Sequence, residues 1–245
     1  MLIEQTVKNM RSIKLSAMAT SFESRIASGE YRELSSEEFV GLILEDEISE
    51  RKSRKFKKMI TKANLKPEQA NLENLRFAPK RNLLKKDINE FFTDSWISRS
   101  QNIIITGATG TGKTYLGEAL IFQACKLGYV GQKKVYSILL EEVKVARAMG
   151  KWLKYLKEID KVKVLVIDDF LISKTNSKDA EELLTILEER VSKHPTIITS
   201  QYPKEVWHER IGEPTLADAI CDRLIINSIH IDLKGETQRK KTENP

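Results

Sequence analysis

The chain has 245 residues, 40% of them hydrophobic and 31% charged, with a net charge of +6 and a pI near 9.1. No run approaches the ~18 apolar residues a membrane helix needs, and the N-terminus has no apolar signal core, so neither a membrane nor a secreted protein is expected and the location is read as cytoplasmic. Two cysteines without metal-like spacing, Cys125 and Cys221, argue against a disulfide framework and read as small buried residues.

Residues 1–66 carry helical patterns only. Met18, Phe22 and Ile26 recur every four residues, with Val7, Met10 and Leu15 earlier in the same pattern, and Gly29 marks a break. Ser35 followed by Glu38 is a capping box that opens a second helix, with Phe39, Leu42 and Ile43 on its apolar side. Pro67 is expected to close this unit. Residues 67–100 form a connecting region, in which Leu83, Leu84, Ile88, Phe91 and Phe92 suggest a short helix after Pro79. From Asn102 onward, short β-branched runs alternate with longer helical stretches. Strands are expected at Asn102–Thr106, Lys134–Ile138, Val162–Asp168, Thr196–Ser200 and Ile229–Leu233. The first four are nearly continuous apolar runs, as when helices cover both faces of a sheet, and the last alternates like an edge strand. The fold class is therefore α/β, a parallel sheet covered by helices on both faces and preceded by a small all-α domain.

The first strand runs directly into Gly107-Ala108-Thr109-Gly110-Thr111-Gly112-Lys113-Thr114, followed by an amphipathic helix with Leu116, Leu120 and Ala124. This is the full phosphate-loop pattern in its strand–loop–helix setting. The glycines let backbone N–H groups approach phosphate oxygens, and the positive end of the helix faces the same anion. Lys113 can bridge the β- and γ-phosphates, and the Thr114 hydroxyl is placed to ligate Mg²⁺. The cofactors read from the loop are thus ATP and Mg²⁺. Val164-Leu165-Val166-Ile167-Asp168-Asp169 delivers two carboxylates to the C-terminal end of a second strand. Asp168 is the expected Mg²⁺ holder, direct or outer-sphere, and Asp169 sits where a general base could orient water. A third strand ends at Gln201, which either positions water or the γ-phosphate or belongs to a plain surface loop before Pro203.

With these features in place, the chain resembles the IstB-type ATPases, AAA+ helpers of a bacterial insertion-sequence transposase and relatives of the replicative helicase loaders. The resemblance spans nearly the whole chain. It rests on Leu34-Ser35-Ser36-Glu37-Glu38, Asn74-Leu75-Arg76-Phe77, Asn102 to Thr114, Leu165 to Phe170, Thr199-Ser200-Gln201-Tyr202-Pro203 with Trp207, Leu216 to Leu224, and Leu233-Lys234-Gly235-Glu236. It implies that Gln201 is the sensor I residue and that Arg223, in Asp222-Arg223-Leu224, is an arginine finger reaching ATP bound by a neighbouring subunit. Two departures stand out: Asp169 replaces a common Glu, and the 22 residues after Arg223 are too few for a C-terminal helical lid, leaving Arg239 as the one substitute for a sensor II arginine.

Residues 51–62 contain seven basic residues and no acid. At about 100° per residue, Arg51, Arg54, Lys55, Lys58 and Lys62 share one helical face. Such a stripe suits phosphate contacts along DNA. It equally suits a solvated face paired with the six acids between Glu37 and Glu50. The resemblance favours DNA, with Arg76, Lys80, Arg81, Lys85 and Lys86 extending the patch. It also implies double-stranded DNA read with weak sequence preference, a transposase and further copies of the chain as partners, and no membrane. Residues 1–66 are then a DNA-binding and assembly domain, 67–100 a connector whose 76–84 segment walls the adenine, and 101–245 the ATPase domain. A helicase loader is the alternative, and a small-molecule kinase the reading from a different class.

Overall fold

A computed structural model describes residues 2–65 and 70–238, which divide into two compact units, residues 1–58 and 59–245. No helix among the described residues is long and apolar enough to cross a membrane.

The first unit opens with two helices, α1 (Leu2–Ser12) and α2 (Ser16–Ser28), where the apolar pattern suggested one. The break lies at Lys14, in the left-handed region with φ 64°. The Lys14 and Leu15 amides bond back to the carbonyls of Arg11 and Met10, at 3.0 and 2.9 Å, which satisfies the open end of α1. Glycine usually fills that position, so a lysine there sends no stop signal. Gly29 ends α2 as expected, with φ 77°. A third helix, α3 (Ser36–Ala63), starts at the anticipated box: Ser35 N–H donates to Glu38 at 2.8 Å and Glu38 N–H to Ser35 Oγ at 3.2 Å. Glu47 of α3 is 4% exposed and accepts the free N–H groups of Ala17 and Met18 in the first turn of α2, at 2.9 and 3.0 Å. Phe22 and Phe39 meet edge to face, 5.7 Å apart. α3 ends with Asn64 at φ 54°, and Pro67, expected to close the unit, lies outside the described residues.

In the second unit, residues 70–100 wind through short turns and two short helices, α4 (Lys85–Asn89) and α5 (Ser95–Ser98). Leu72, Leu83, Ile88, Phe91 and Trp96 are fully buried, so this stretch contributes core as well as connection. The helix expected around Ile88 is α4, extended by a 3₁₀ turn over Glu90–Phe92.

The chain then alternates β1 (Asn102–Gly107), α6 (Lys113–Lys126), β2 (Gly131–Val135), α7 (Tyr136–Ala148), α8 (Trp152–Asp160), β3 (Val164–Asp168), α9 (Ser177–Arg190), β4 (Thr196–Ser200), α10 (Trp207–Ile211), α11 (Pro214–Ile225) and β5 (Ser228–Leu233). The five strands form one parallel sheet in the order β2-β3-β4-β1-β5. The second strand is corrected from Lys134–Ile138 to Gly131–Val135. Tyr136, Leu139, Leu140 and Val143 recur with helical spacing and are buried as the inner face of α7. β2 is an edge strand, so it tolerates Lys133 and Lys134, which pair with Glu118 and Glu142. β5 occupies the other edge, with Ile231 and Leu233 buried and His230 and Asp232 exposed. β1, β3 and β4 are the inner strands, and their C-terminal ends lie side by side.

Candidate functional site

The loop leaving β1 turns through three glycines with positive φ, Gly107 (144°), Gly110 (86°) and Gly112 (98°), before α6 begins at Lys113. These conformations are open to glycine and disfavoured for other residues, and a Cβ on Gly107 would collide with the Leu233 carbonyl of β5. Ala108 and Thr109 are exposed at the loop's crest, and Thr111 is buried, its hydroxyl on the Ala108 carbonyl at 2.8 Å. Lys113 is 6% exposed and its ammonium also donates to Ala108 O, at 3.0 Å. A cation, the positive end of a 14-residue helix and a nest of amides thus converge on one point, where a phosphate chain fits.

β3 brings Asp168, 3% exposed, under the first turn of α6, where it accepts from the Thr114 hydroxyl at 3.0 Å. Its same oxygen accepts a short bond from Thr199 of β4. Asp169 follows in the left-handed region, φ 55°, with its N–H on Thr199 Oγ1 at 3.2 Å. That conformation is uncommon outside glycine, though aspartate tolerates it better than most. It separates the two carboxylates: Asp168 is held beneath the loop, while Asp169 lines the open cleft. Gln201, just beyond β4, also lines the cleft and accepts from Thr109 Oγ1 at 2.8 Å. Gln201 thus stands beside the phosphate loop.

The cleft holds about 500 Å³, the size of a small-molecule site. Asn74, Leu75, Arg76 and Arg81 form its other wall, so the 76–84 segment contributes two residues to it. The Arg81 guanidinium donates to the carbonyls of Arg76 and of Thr111 in the loop. Burial, and then the charge of Arg76, pulls Arg81 below the ordinary arginine value.

The oxygen donors of Thr114 and Asp168 suit a hard divalent cation such as Mg²⁺, which usually takes one or two protein ligands and completes its shell with water and phosphate. No cluster of three or more His, Cys, Asp or Glu side chains that could hold a metal by itself occurs among the described residues.

Arg223 is not brought to this cleft. It lies on α11, where its carbonyl accepts from Asn102 at the start of β1, the strand end opposite the loop. Its guanidinium pairs with Glu188 at 2.7 Å and with Ala219 O at 2.9 Å. Arg239 lies outside the described residues. Arg51, Arg54, Lys55, Lys58 and Lys62 are all exposed along α3. Arg51 and Arg54 make the anticipated pairs with Glu47 and Glu50, both at 2.7 Å, whereas Lys55, Lys58 and Lys62 have no ion pair among the described residues.

Neither Thr199 nor Gln238 stands out in the sequence as a site residue, and Arg81 reads there as part of a basic patch and of the 76–84 wall. Thr199 carried a signal: a polar residue inside an apolar strand must find a buried partner. Gln238 carried none, because it arrives at the loop only through the sheet.

The sequence profile of the IstB-like ATP binding proteins matches residues 8–245. A putative insertion sequence ATP-binding protein of Sinorhizobium fredii, y4pL, is 35% identical over 240 residues, covering 98% of both chains. The putative ATP-binding protein of insertion sequence IS5376 from Geobacillus stearothermophilus is 31% identical over 231 residues, covering 93% of this chain and 90% of that one. Among solved structures, the DnaC helicase loader superposes with a TM-score of 0.57 at 24% identity, over 69% of this chain and 98% of that one, a likeness of fold.

Proposed function

The chain belongs to the family of IstB-like ATP binding proteins, and from that premise we propose that it is an ATP-hydrolysing AAA+ helper that assembles on target DNA and recruits or activates an insertion-sequence transposase. The observation that carries the ATPase reading is the Thr114–Asp168 hydrogen bond beneath a complete phosphate loop. The transposition reading draws on relatives named for insertion sequences, which match across nearly the whole chain, including the N-terminal helices that a helicase loader would not need to share.

In this reading the loop amides and Lys113 hold the β- and γ-phosphates, while Thr114 and Asp168 hold Mg²⁺. When bound, Mg²⁺ neutralises charge on the β- and γ-oxygens. Asp169, facing the cleft, orients the attacking water, and Gln201 senses the γ-phosphate. Aspartate is one methylene shorter than glutamate, which suits slow hydrolysis and a switch. Arg223 serves the site of a neighbouring subunit, and the lysines of α3 contact DNA phosphates.

The test is ATP turnover and assembly with and without duplex DNA. Wild type should hydrolyse ATP faster with DNA and form large assemblies. Lys113→Ala should lose nucleotide binding or hydrolysis. Asp169→Asn should bind ATP and assemble, yet hydrolyse slowly. Equal turnover by wild type and Lys113→Ala would sink the ATPase reading, and DNA-independent turnover without assembly would sink the transposition reading.

A further inference from the structure

Two segments more than 150 positions apart hold the phosphate loop at the wall of the cleft. Arg81 donates to Thr111 O at 2.9 Å, and the Gln238 N–H donates to Gly110 O at 2.8 Å. The two segments also hold each other. Lys234 N–H bonds to Arg81 O at 3.0 Å, and the Asn82 amide bonds to Asp232 O at 2.9 Å. Thr237 packs so closely on Gly110 that a Cβ there would collide with its side chain.

The peptide units explain what this grip does. In a trans peptide, C=O and N–H point in opposite directions, so fixing one aims the other. Holding Thr111 O on Arg81 therefore fixes the direction of the Gly112 N–H at the start of α6. Holding Gly110 O on Gln238 fixes the next unit back, whose Thr111 N–H closes a turn on Ala108 O at 3.3 Å. Ala108 O in turn receives Lys113 Nζ. A second observation points to an anion. Among the described residues Arg81 donates to neutral carbonyls only and its buried Nε has no partner, and it stands beside Arg76 at the cleft wall. A cation held so has little to offset it among the described residues, and a phosphate chain in the cleft would supply the charge.

We propose that Arg81 and the segment Lys234–Gln238 form a clasp on the loop's carbonyls: Arg81 aims the Gly112 N–H, the Gln238 N–H holds the turn at Ala108 that receives Lys113, and together they position the loop for nucleotide. The clasp rests on the nucleotide-site reading above.

The test is titration of the full chain with a fluorescent ATP analogue, alongside steady-state turnover. Arg81→Met, which keeps the size and removes donors and charge, should weaken binding about tenfold, the equivalent of one charge-assisted hydrogen bond. Arg81→Lys, which keeps a charged donor, should recover part of that loss. Gln238→Ala reports the side chain alone, and Gln238→Pro additionally deletes the N–H. The proline variant should bind about fivefold more weakly than the alanine variant. In both weakened variants KM should rise with little change in kcat, a split that general unfolding does not give. Matching affinities for Arg81→Met and wild type, together with matching affinities for the proline and alanine variants, would overturn the clasp. Equal affinity in wild type and Lys113→Ala would instead overturn the nucleotide-site reading itself.

Discussion

Thr199 offers a test of how the two strand-end carboxylates are held apart. It is fully buried, and its hydroxyl does two jobs: it donates to Asp168 and accepts the Asp169 N–H at 3.2 Å. Its methyl faces the site of a Cβ on Gly117 of α6, at 3.3 Å, so valine preserves the shape and the packing. Thr199→Val therefore removes one bond to a carboxylate, about 1.5–3 kcal/mol, and one neutral bond, about 0.5–1.5 kcal/mol. The sum, about 2–4.5 kcal/mol, is a large part of the ~5–15 kcal/mol that holds a typical domain together. At about 2–4 °C per kcal/mol for a chain of this size, the melting midpoint should fall by roughly 4–18 °C. Thr199→Ser keeps the hydroxyl and loses one methyl, so about 1 kcal/mol should suffice for it. Urea unfolding followed by tryptophan fluorescence measures both. The chemistry should follow the same order: with one of its two tethers cut, Asp168 is held by Thr114 alone, and Mg²⁺-dependent ATP turnover should fall further in the valine variant than in the serine variant. A valine variant as stable as wild type, or less affected than serine, would refute the argument that these two bonds hold the site.

Glu47 should give the chain an acid-sensitive element. Its hydrogen bond from Arg51, then that from Met18 N–H, hold its carboxyl below the ordinary value of 4.5. The unfolded chain therefore binds the proton more readily, so the stabilisation is complete above about pH 4.5 and is lost as pH falls through the folded value. In circular dichroism melts from pH 7 to pH 3, Glu47→Gln should be less stable at neutral pH and flatter on the acid side. An acid limb as steep as wild type would place the titrating group elsewhere. Arg223→Ala alone should bind nucleotide and hydrolyse poorly, while mixing it with Lys113→Ala should restore some turnover, because one interface then unites an intact loop with an intact finger. No rescue despite proven co-assembly would argue against a shared site. Changing Arg54, Lys55 and Lys58 together to Ala should flatten the log–log salt dependence of DNA binding by roughly 2 to 3 units per subunit, at about 0.9 per phosphate contact. An unchanged slope would leave the stripe as a solvated face.

The phosphate loop, its strand and its helix were legible because their chemistry is local. Glycines at Gly107, Gly110 and Gly112 and an apolar strand before them admit few other readings. The capping box at Ser35 and Glu38 and the half-buried alternation of β5 were local in the same way. The errors came where the deciding interaction was distant or the signal residue unusual. Lys14 took a left-handed turn that glycine normally marks, so one helix became two. β2 was displaced because edge pairing and ion pairs to Glu118 and Glu142 let lysines into a strand, while the apolar run after it faces inward as α7.

Residue types and spacing, then, were enough for the chemistry of each strand end: an anion nest, a pair of carboxylates, a polar cap. Which ends meet was decided by strand order, because β3, β4 and β1 are neighbours and so set Asp168, Gln201 and the loop side by side. The same order sends Arg223 to the far end of β1 and brings Gln238 back over Gly110. Hydrogen bonds between positions tens to more than a hundred residues apart leave no period in a sequence, and they exist only once the sheet has paired.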